Sequence, residues 1–545
     1  MSGTARERWV DRAPIVAVAL IVTVLVAVGT LIANRGGSSP PQPEPTASPV
    51  ADLPWVDSLA PSQLLTGDAA TFDDTIGGWS PDVGTISVTT KKARVYRGSG
   101  ALAAIAPASG GSMTLWSPPV KVNPGDRYVG KVFVRGEGQA GSVQLQLRFL
   151  NGVGATTDTD LSEPLLDSTS AWGQPPVVAA IAPQHTRRVQ LGISFPHSVA
   201  SEIQLVDDAS LAQTPGGHAR VVGPLTTRGN QILDGDGRPL ILRGLQRFGL
   251  EGGTKNPLPT QAEIQQLSLW GANEVRISLG EQKWLAGSCH YEKDYPQVVD
   301  KVVRWVTDRG MVALINLHFA TVGRCGTPTL TPMADSPGSL TFWQEVATRY
   351  QDNPLVAFDL FNEPYVHQGT WLQGGSYDVD GQTVAAAGMQ QLYDTVRGTG
   401  ATNLVVISGL KYAAAPPTEF VAGSDIAYGV HAYTCSTEPP PGCTTPDPLE
   451  PSQILDGWDS LAKTYPVIVS EFGWPNGDAG TYNAHVISYA ADHHWGWSGF
   501  AWDGGTGGLF TLVQAQPASD GSTIEPNAGG MALVAGFAAN WPAQP

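Results

Sequence analysis

Two glutamates stand in settings that suit proton and nucleophile chemistry on an uncharged substrate. Glu363 lies in Asp359-Leu-Phe-Asn-Glu-Pro364, and Glu471 in Val467-Ile-Val-Ser-Glu-Phe-Gly-Trp474. Each follows a short apolar run of the kind that forms a buried strand, so each carboxyl would be delivered by a rigid element. A pair of carboxyls serves glycosidic cleavage: one protonates the departing oxygen, and the other stabilises or attacks the cationic sugar centre. Arg276 lies within a similar run, and His318, Asn362, His431, Tyr433 and Trp502 stand at or near the ends of others. Taken singly, His318 suits a hydrogen-bonded core histidine, Arg276 an interior ion pair, and Trp502 packing. Together they form a polar rim. No HExxH or CxxC spacing points to a metal, and no G-x-S-x-G to a serine nucleophile. No metal or organic cofactor is expected.

The elements that must carry these residues begin near residue 218, where strands alternate with helical stretches. Eight strand candidates can be counted: Leu240–Gln246, Asn273–Ser278, Val312–His318, Leu355–Glu363, Asn403–Gly409, Ile426–Tyr433, Pro466–Gly473 and Gly499–Asp503. Between the second and third, Pro296 opens a stretch with Val299, Val302, Val303 and Val306 on one helical face and Gly310 as a stop. The pattern predicts a (β/α)8 barrel over residues 216–545, with the site at the C-terminal strand ends. A hairpin over Ile232–Leu240 is expected to plug the barrel floor. Residues 64–215 read differently: short strands punctuated by Gly, Pro, Asn and Asp, such as Tyr128–Val134 and the alternating Val143–Phe149, predict an all-β sandwich.

The two glutamate motifs resemble the acid/base and nucleophile motifs of glycoside hydrolase family 5, retaining (β/α)8 enzymes that include cellulases, mannanases and related β-glycanases. The likeness runs from about Asn230 to Trp502 and takes in Leu242-Arg-Gly244, Arg276, His318, His431-Ala-Tyr433 and Trp502. It implies Glu363 as acid/base and Glu471 as nucleophile. Asn362 would bond the sugar 2-hydroxyl, and Arg276 and Tyr433 would hold Glu471. His318 and His431 would line the catalytic subsite, with Trp502 stacked beneath the sugar at −1. Glu363 should titrate high because of the charge on Glu471, and Glu471 low because of a guanidinium. Gln246 stands where the family frequently has Asn, and Asp503 adds an acid beside the site. The sandwich segment, through Phe72-Asp-Asp, Gly78-Trp79, Gly98-Ser-Gly-Ala-Leu102, Pro124-Gly-Asp-Arg-Tyr128 and Val206-Asp-Asp-Ala-Ser-Leu211, resembles jelly-roll carbohydrate-binding modules similar to family 4, in which Trp79 is often core.

The expected activity is cleavage of a β-linked polysaccharide or oligosaccharide, with endo-β-1,4-glucanase first. A mannanase, an exo-glucanase or a glycolipid-directed glycosidase would use the same rim, and a non-catalytic glycan-binding surface protein is the alternative outside enzymes. Nucleic acid is an unlikely partner for a chain with 32 Lys+Arg against 49 Asp+Glu and a net charge of −17. Ala13–Ala33 is uncharged and apolar, near the roughly 20 residues that span a bilayer, and Arg6, Arg8 and Arg12 precede it. Residues 1–12 are therefore expected in the cytoplasm and 13–33 as a transmembrane helix in the cell membrane. A Pro/Ser-rich tether (34–63) would hold an extracellular catalytic part as a monomer; secretion after signal cleavage is the alternative. Four cysteines fit an oxidising compartment and allow three pairings, with Cys435–Cys443 and Cys289–Cys325 the simplest.

Overall fold

A computed structural model describes residues 54–539, apart from 58, 139–140, 163, 184–185, 215–219, 253–256, 321–329, 380, 434–449, 476–477, 505–509 and 515–524. The apolar run 13–33 therefore lies outside the described residues, as do Cys325, Cys435, Cys443 and most of the loops after the third and sixth barrel strands. Among the described residues, no helix is long and apolar enough to cross a membrane. Cys289 is disulfide-bonded.

The N-terminal region consists of two antiparallel sheets that share one core. In spatial order one sheet is built on Val178–Ile181, Arg127–Glu137, Ile203–Thr214, Ala101–Ile105 and Thr85–Thr89. The other is built on Leu165–Leu166, Ser142–Leu150, Arg188–Ser198, Gly111–Trp116 and Ser80–Pro81. The alternation read in Val143–Phe149 is real: Val143, Leu145, Leu147 and Phe149 are sealed inside, while Gln144, Gln146 and Arg148 take the other face. Trp79 is core, its ring edge-on to Phe72 and its indole N–H donated to the Ala69 carbonyl at 2.9 Å.

The second region is a closed parallel barrel of eight strands. These are β1 (Arg243–Arg247), β2 (Glu274–Gly280), β3 (Val312–Phe319), β4 (Val356–Asp359), β5 (Val405–Ser408), β6 (Ile426–Ala432), β7 (Val467–Phe472) and β8 (Gly496–Trp502). Helix α1 (Gln261–Trp270) follows β1, opened by a Thr260/Glu263 capping box and closed by Gly271 at φ 104°. Helix α2 (Tyr295–Asp308) buries Val299, Val302, Val303 and Val306, as their spacing predicts. The alternation of strand and helix is not complete. Between β5 and β6 the chain crosses by a turn (Leu410 bridged to Ala415) with no helix. At the floor, strands Thr226–Arg228, Gln231–Leu233 and Pro239–Leu240 form a small sheet. Leu225 and Ile232 there pack with Leu314, Ala357, Val406 and Ile468.

The tether expected to reach residue 63 ends sooner. Pro54–Asp57 is helical, and Trp55 and Val56 are buried with the barrel's hydrophobic cluster, together with Val129, Val177 and Ala179 of the sandwich. Between the two regions lies Arg127, fully buried. Its guanidinium stacks on Trp55 at 4.9 Å, donates to Thr214 Oγ1 and the Trp270 carbonyl at 2.8 Å, and also donates to the Leu269 carbonyl. Those carbonyls are the orphaned C-terminal acceptors of α1, where a cation is favoured. One sandwich side chain thus caps a barrel helix.

Candidate active site

Parallel pairing lines up the rim. Glu471 near the end of β7 is in register with His431 of β6, and Arg276 of β2 with Gln246 of β1. Strand β4 stops at Asp359 rather than reaching Glu363 as expected. The Leu360 N–H still bonds Val406 O and the Asn362 N–H bonds Leu317 O, but Pro364 offers no N–H, so the acid sits just beyond the ladder. One carboxylate oxygen of Glu363, one of Glu471 and a ring nitrogen of His431 all lie within 4.8 Å of one another. Retaining glycosidases hold their carboxyls about 5–5.5 Å apart, whereas inverting ones need about 6.5–9.5 Å. An oxygen-to-oxygen approach of 4.8 Å or less falls short of the inverting range.

Arg276 organises this pair. It is sealed from solvent and donates Nε to Asp359 Oδ2 at 2.8 Å, Nη2 to Asn362 Oδ1 at 2.9 Å, and Nη1 to both Gln246 Oε1 and Glu471 Oε1. Burial opposes its charge, but Asp359 and Glu471 outweigh that and hold its pKa above the ordinary value. The other Glu471 oxygen accepts from Tyr433 at 3.0 Å. Both Glu471 oxygens are therefore already engaged by donors, which disfavours a cation among these three groups despite their spacing.

Burial raises Glu363 to about 7, with Arg276 acting against the rise. The cause is desolvation and not, as the sequence suggested, the charge on Glu471. Glu471 departs from expectation too: burial lifts it, opposed by His431 and Arg276. Two carboxyls this close cannot both ionise freely, and the donors decide which keeps the charge. Glu471 receives Arg276 and Tyr433, while Glu363 meets His431 Nδ1 at 2.8 Å. Burial lowers His431 to about 4, so that ring is neutral near pH 7. His318 is driven well below its usual range by burial and by Arg276 and His431. Its Nδ1 lies 3.1 Å from Asn316 Oδ1, and Asn316 Nδ2 donates to Asp359 at 3.0 Å. That chain sets the His318 tautomer with the proton on Nδ1, leaving Nε2 as an acceptor.

Glu363, Glu471, Arg276, Asn362, His431, Tyr433 and His318 thus meet at one mouth. Trp502 does not join them. The β1–β8 register shifts here, so that Leu245 pairs with Gly499 but Arg247 with Trp502, one residue more on β8 than on β1. The extra residue turns Trp502 outward. It is fully buried against Trp270 at 5.0 Å and donates Nε1 to Glu263, which also pairs with Arg247. Phe500 faces the mouth instead, partly exposed and edge-on to Phe248 and Tyr433 at 5.0 and 6.1 Å. Asp503 is buried and accepts from Thr511 at 2.8 Å.

Sequence reading missed further participants. Asp359 and Asn316 orient the rim from below, and a strand-borne acid amid apolar neighbours was the available signal. After β5, Lys411, Tyr412 and Ala413 all have left-handed backbones (φ 53°, 60° and 59°). Such a conformation costs L-residues roughly 1–2 kcal/mol each. Hydrogen bonds hold the turn against that cost: Tyr412 N–H donates to Pro364 O at 3.0 Å, and His431 N–H to Ala413 O at 3.1 Å.

A family model described as cellulase (glycosyl hydrolase family 5) matches residues 233–506. An endoglucanase of Paenibacillus polymyxa is 25% identical over 302 residues, covering 48% of this chain and 74% of that protein. An endo-β-1,4-glucanase B of Aspergillus niger is 29% identical over 182 residues, 32% of this chain and half of that protein. A crystal structure of a β-glucanase from Saccharophagus degradans in complex with cellotetraose aligns at TM-score 0.44 and 20% identity, covering 58% of this chain and 94% of that one.

Proposed function

The chain belongs to the cellulase family of glycosyl hydrolases, family 5, and from that membership we propose a retaining endo-β-1,4-glucanase. The observation that carries the reading is the carboxyl pair, oxygens within 4.8 Å, with its donors divided: Arg276 and Tyr433 on Glu471, His431 on Glu363. Glu363 donates its proton to the glycosidic oxygen as Glu471 attacks the anomeric carbon, which releases the leaving sugar and forms a glycosyl ester on Glu471. Glu363, now a carboxylate, takes a proton from water, whose oxygen attacks the same carbon and frees Glu471. Asn362 gives its oxygen to Arg276 and so keeps its amide N–H groups for a sugar hydroxyl. His318 Nε2 is an acceptor for another, and Phe500 offers the apolar contact beneath the −1 sugar.

The glucan preference draws on what the relatives are named for, an endoglucanase and an endo-β-1,4-glucanase. Carboxymethylcellulose viscometry tests it. Viscosity should fall well before many reducing ends appear, and equal cleavage of mannan, or none of either polymer, would contradict the assignment. In the same reading the sandwich binds glucan on the outer face of its second sheet, where Gln144, Gln146, Arg148 and Gln190 flank Trp116, whose ring lies over Gly192. Trp116→Ala should weaken retention of the intact protein on cellulose in affinity electrophoresis; unchanged retention would remove that role. The apolar run 13–33 and the Pro-rich stretch after it support a tethered enzyme outside the cell membrane, with secretion after cleavage as the other outcome of a fractionation experiment.

A further inference from the structure

Strand β2 sends two charged side chains into the barrel. Val275, Ile277 and Leu279 pack outward with the helices, so Glu274, Arg276 and Ser278 face inward. Arg276 serves the mouth. Glu274 lies one inward step nearer the floor and takes no part in the chemistry above it. It is 1% exposed, and neither of its oxygens makes a hydrogen bond of full geometry among the described residues. Asp359 and Glu471, equally deep, both have the Arg276 guanidinium. A buried carboxyl without a cation is costly, and such groups gather where a charge state matters.

The place that holds this acid is built for it. Gly244 of β1 is in register with Glu274 on one side and with Ser498 of β8 on the other. A Cβ on Gly244 would collide with the Glu274 carboxyl, so the acid fills the space of the missing side chain. One step nearer the mouth the inward pair is Arg276 and Gln246, whose amide oxygen accepts from Arg276. Two residues along a parallel strand rise about 6.6 Å, so an ionised Glu274 would act strongly on the guanidinium in a dry interior. Burial pushes Glu274 up to about 8; the Ser498 hydroxyl and Arg276 act against the rise, and the charge of Asp359 adds to it.

We infer that Glu274 is a positioning residue with two settings: neutral, it leaves Arg276 to Asp359 and Glu471, and ionised, it draws on that guanidinium and loosens its hold on Glu471. The inference rests on the retaining-glucanase reading. β-Cellobiosyl fluoride isolates the switch, because its leaving ion needs no proton and the Glu363 limb drops out of kcat/KM. Glu274→Gln keeps the shape and cannot ionise. With each profile scaled to its own value at pH 6, wild type should fall about tenfold by pH 9.5, and Glu274→Gln should stay within about twofold. Superimposed profiles, or a wild-type rate that holds or rises to pH 9.5, would overturn the inference; a purely structural role would lower the variant equally at every pH. Should Glu274→Gln fail to fold, Ser498→Ala takes its place. It removes a group that favours the ionised form, so the fall should move to higher pH, and a fall at the same or lower pH would contradict the switch. Wild type that ignores the fluoride at every pH would contradict the glucanase reading instead, and the same profiles on the glycosyl fluoride that it does cleave would still decide Glu274.

Discussion

Arg127 and Arg276 are both sealed from solvent, one in the sandwich and one in the barrel. Arg127 meets carbonyls, a hydroxyl and an indole face, pairs with no carboxylate among the described residues, and is lowered to about 9 by burial, with the charge of Asp126 acting against the fall. Arg276 meets Asp359 and Glu471 and is held above the ordinary value. A guanidinium among neutral dipoles is a fastener: it satisfies helix-end acceptors and remains charged at neutral pH. A guanidinium between carboxylates sets charge states, because it decides which of two neighbouring acids stays ionised. The same residue type, equally buried, thus joins two domains in one place and holds a pair of carboxylates in the other.

Substitution at each arginine should separate the roles. Arg276→Met leaves Asp359 and Glu471 buried without their cation, a loss of about 3–5 kcal/mol. Activity on an aryl cellobioside should fall about a thousandfold or more. A fall under tenfold would show that Glu471 does not depend on it. Arg127→Met should instead lower stability by about 2–4 kcal/mol through orphaned acceptors on α1, seen as a lower Tm, with kcat on the same substrate within about twofold. A large kcat loss at an unchanged Tm would reverse the comparison. Tyr433→Phe removes one donor to a charged acceptor and should cost kcat/KM about tenfold. Because that donor favours the ionised Glu471, its loss raises the Glu471 pKa, and the acid limb of the pH profile should move to higher pH. Movement to lower pH would refute the assignment. Smallest is Trp502→Phe, expected to leave KM within about twofold while Phe500→Ala raises it several-fold; the reverse order would return Trp502 to the rim.

The upper limb of the pH profile follows from Glu363. An acid titrating near 7 is protonated below that pH, so kcat/KM should decline as pH rises through about 7. A plateau to pH 9 would contradict it.

The barrel was legible because its strands are fully buried apolar runs, Val312–Phe319 among them, and polar residues at their ends stand out against that background. The α2 valines and the sandwich strand around Leu145 were equally plain, since burial there follows period 3.6 or period 2. What escaped was whatever broke period. One extra residue in β8 reverses the side on which Trp502 lies, and no composition signal marks it. The left-handed Lys411-Tyr412-Ala413 contains no Gly or Asn, so nothing in the residue types announces a turn of that hand. Nothing in the residues around Arg127 marks the helix end that it caps, which only the fold brings against it. The rise of Glu363 was foreseen but its cause was not, because desolvation depends on depth rather than on neighbours in sequence.

Covalent trapping tests the division of labour between the two carboxyls most directly. Treated with a 2-fluoro cellobioside bearing a good leaving group, the protein should gain one fluorosugar, and peptide mass spectrometry should locate it on Glu471. Label on Glu363, or activity on cellulose that proceeds with no label on either glutamate, would contradict the account.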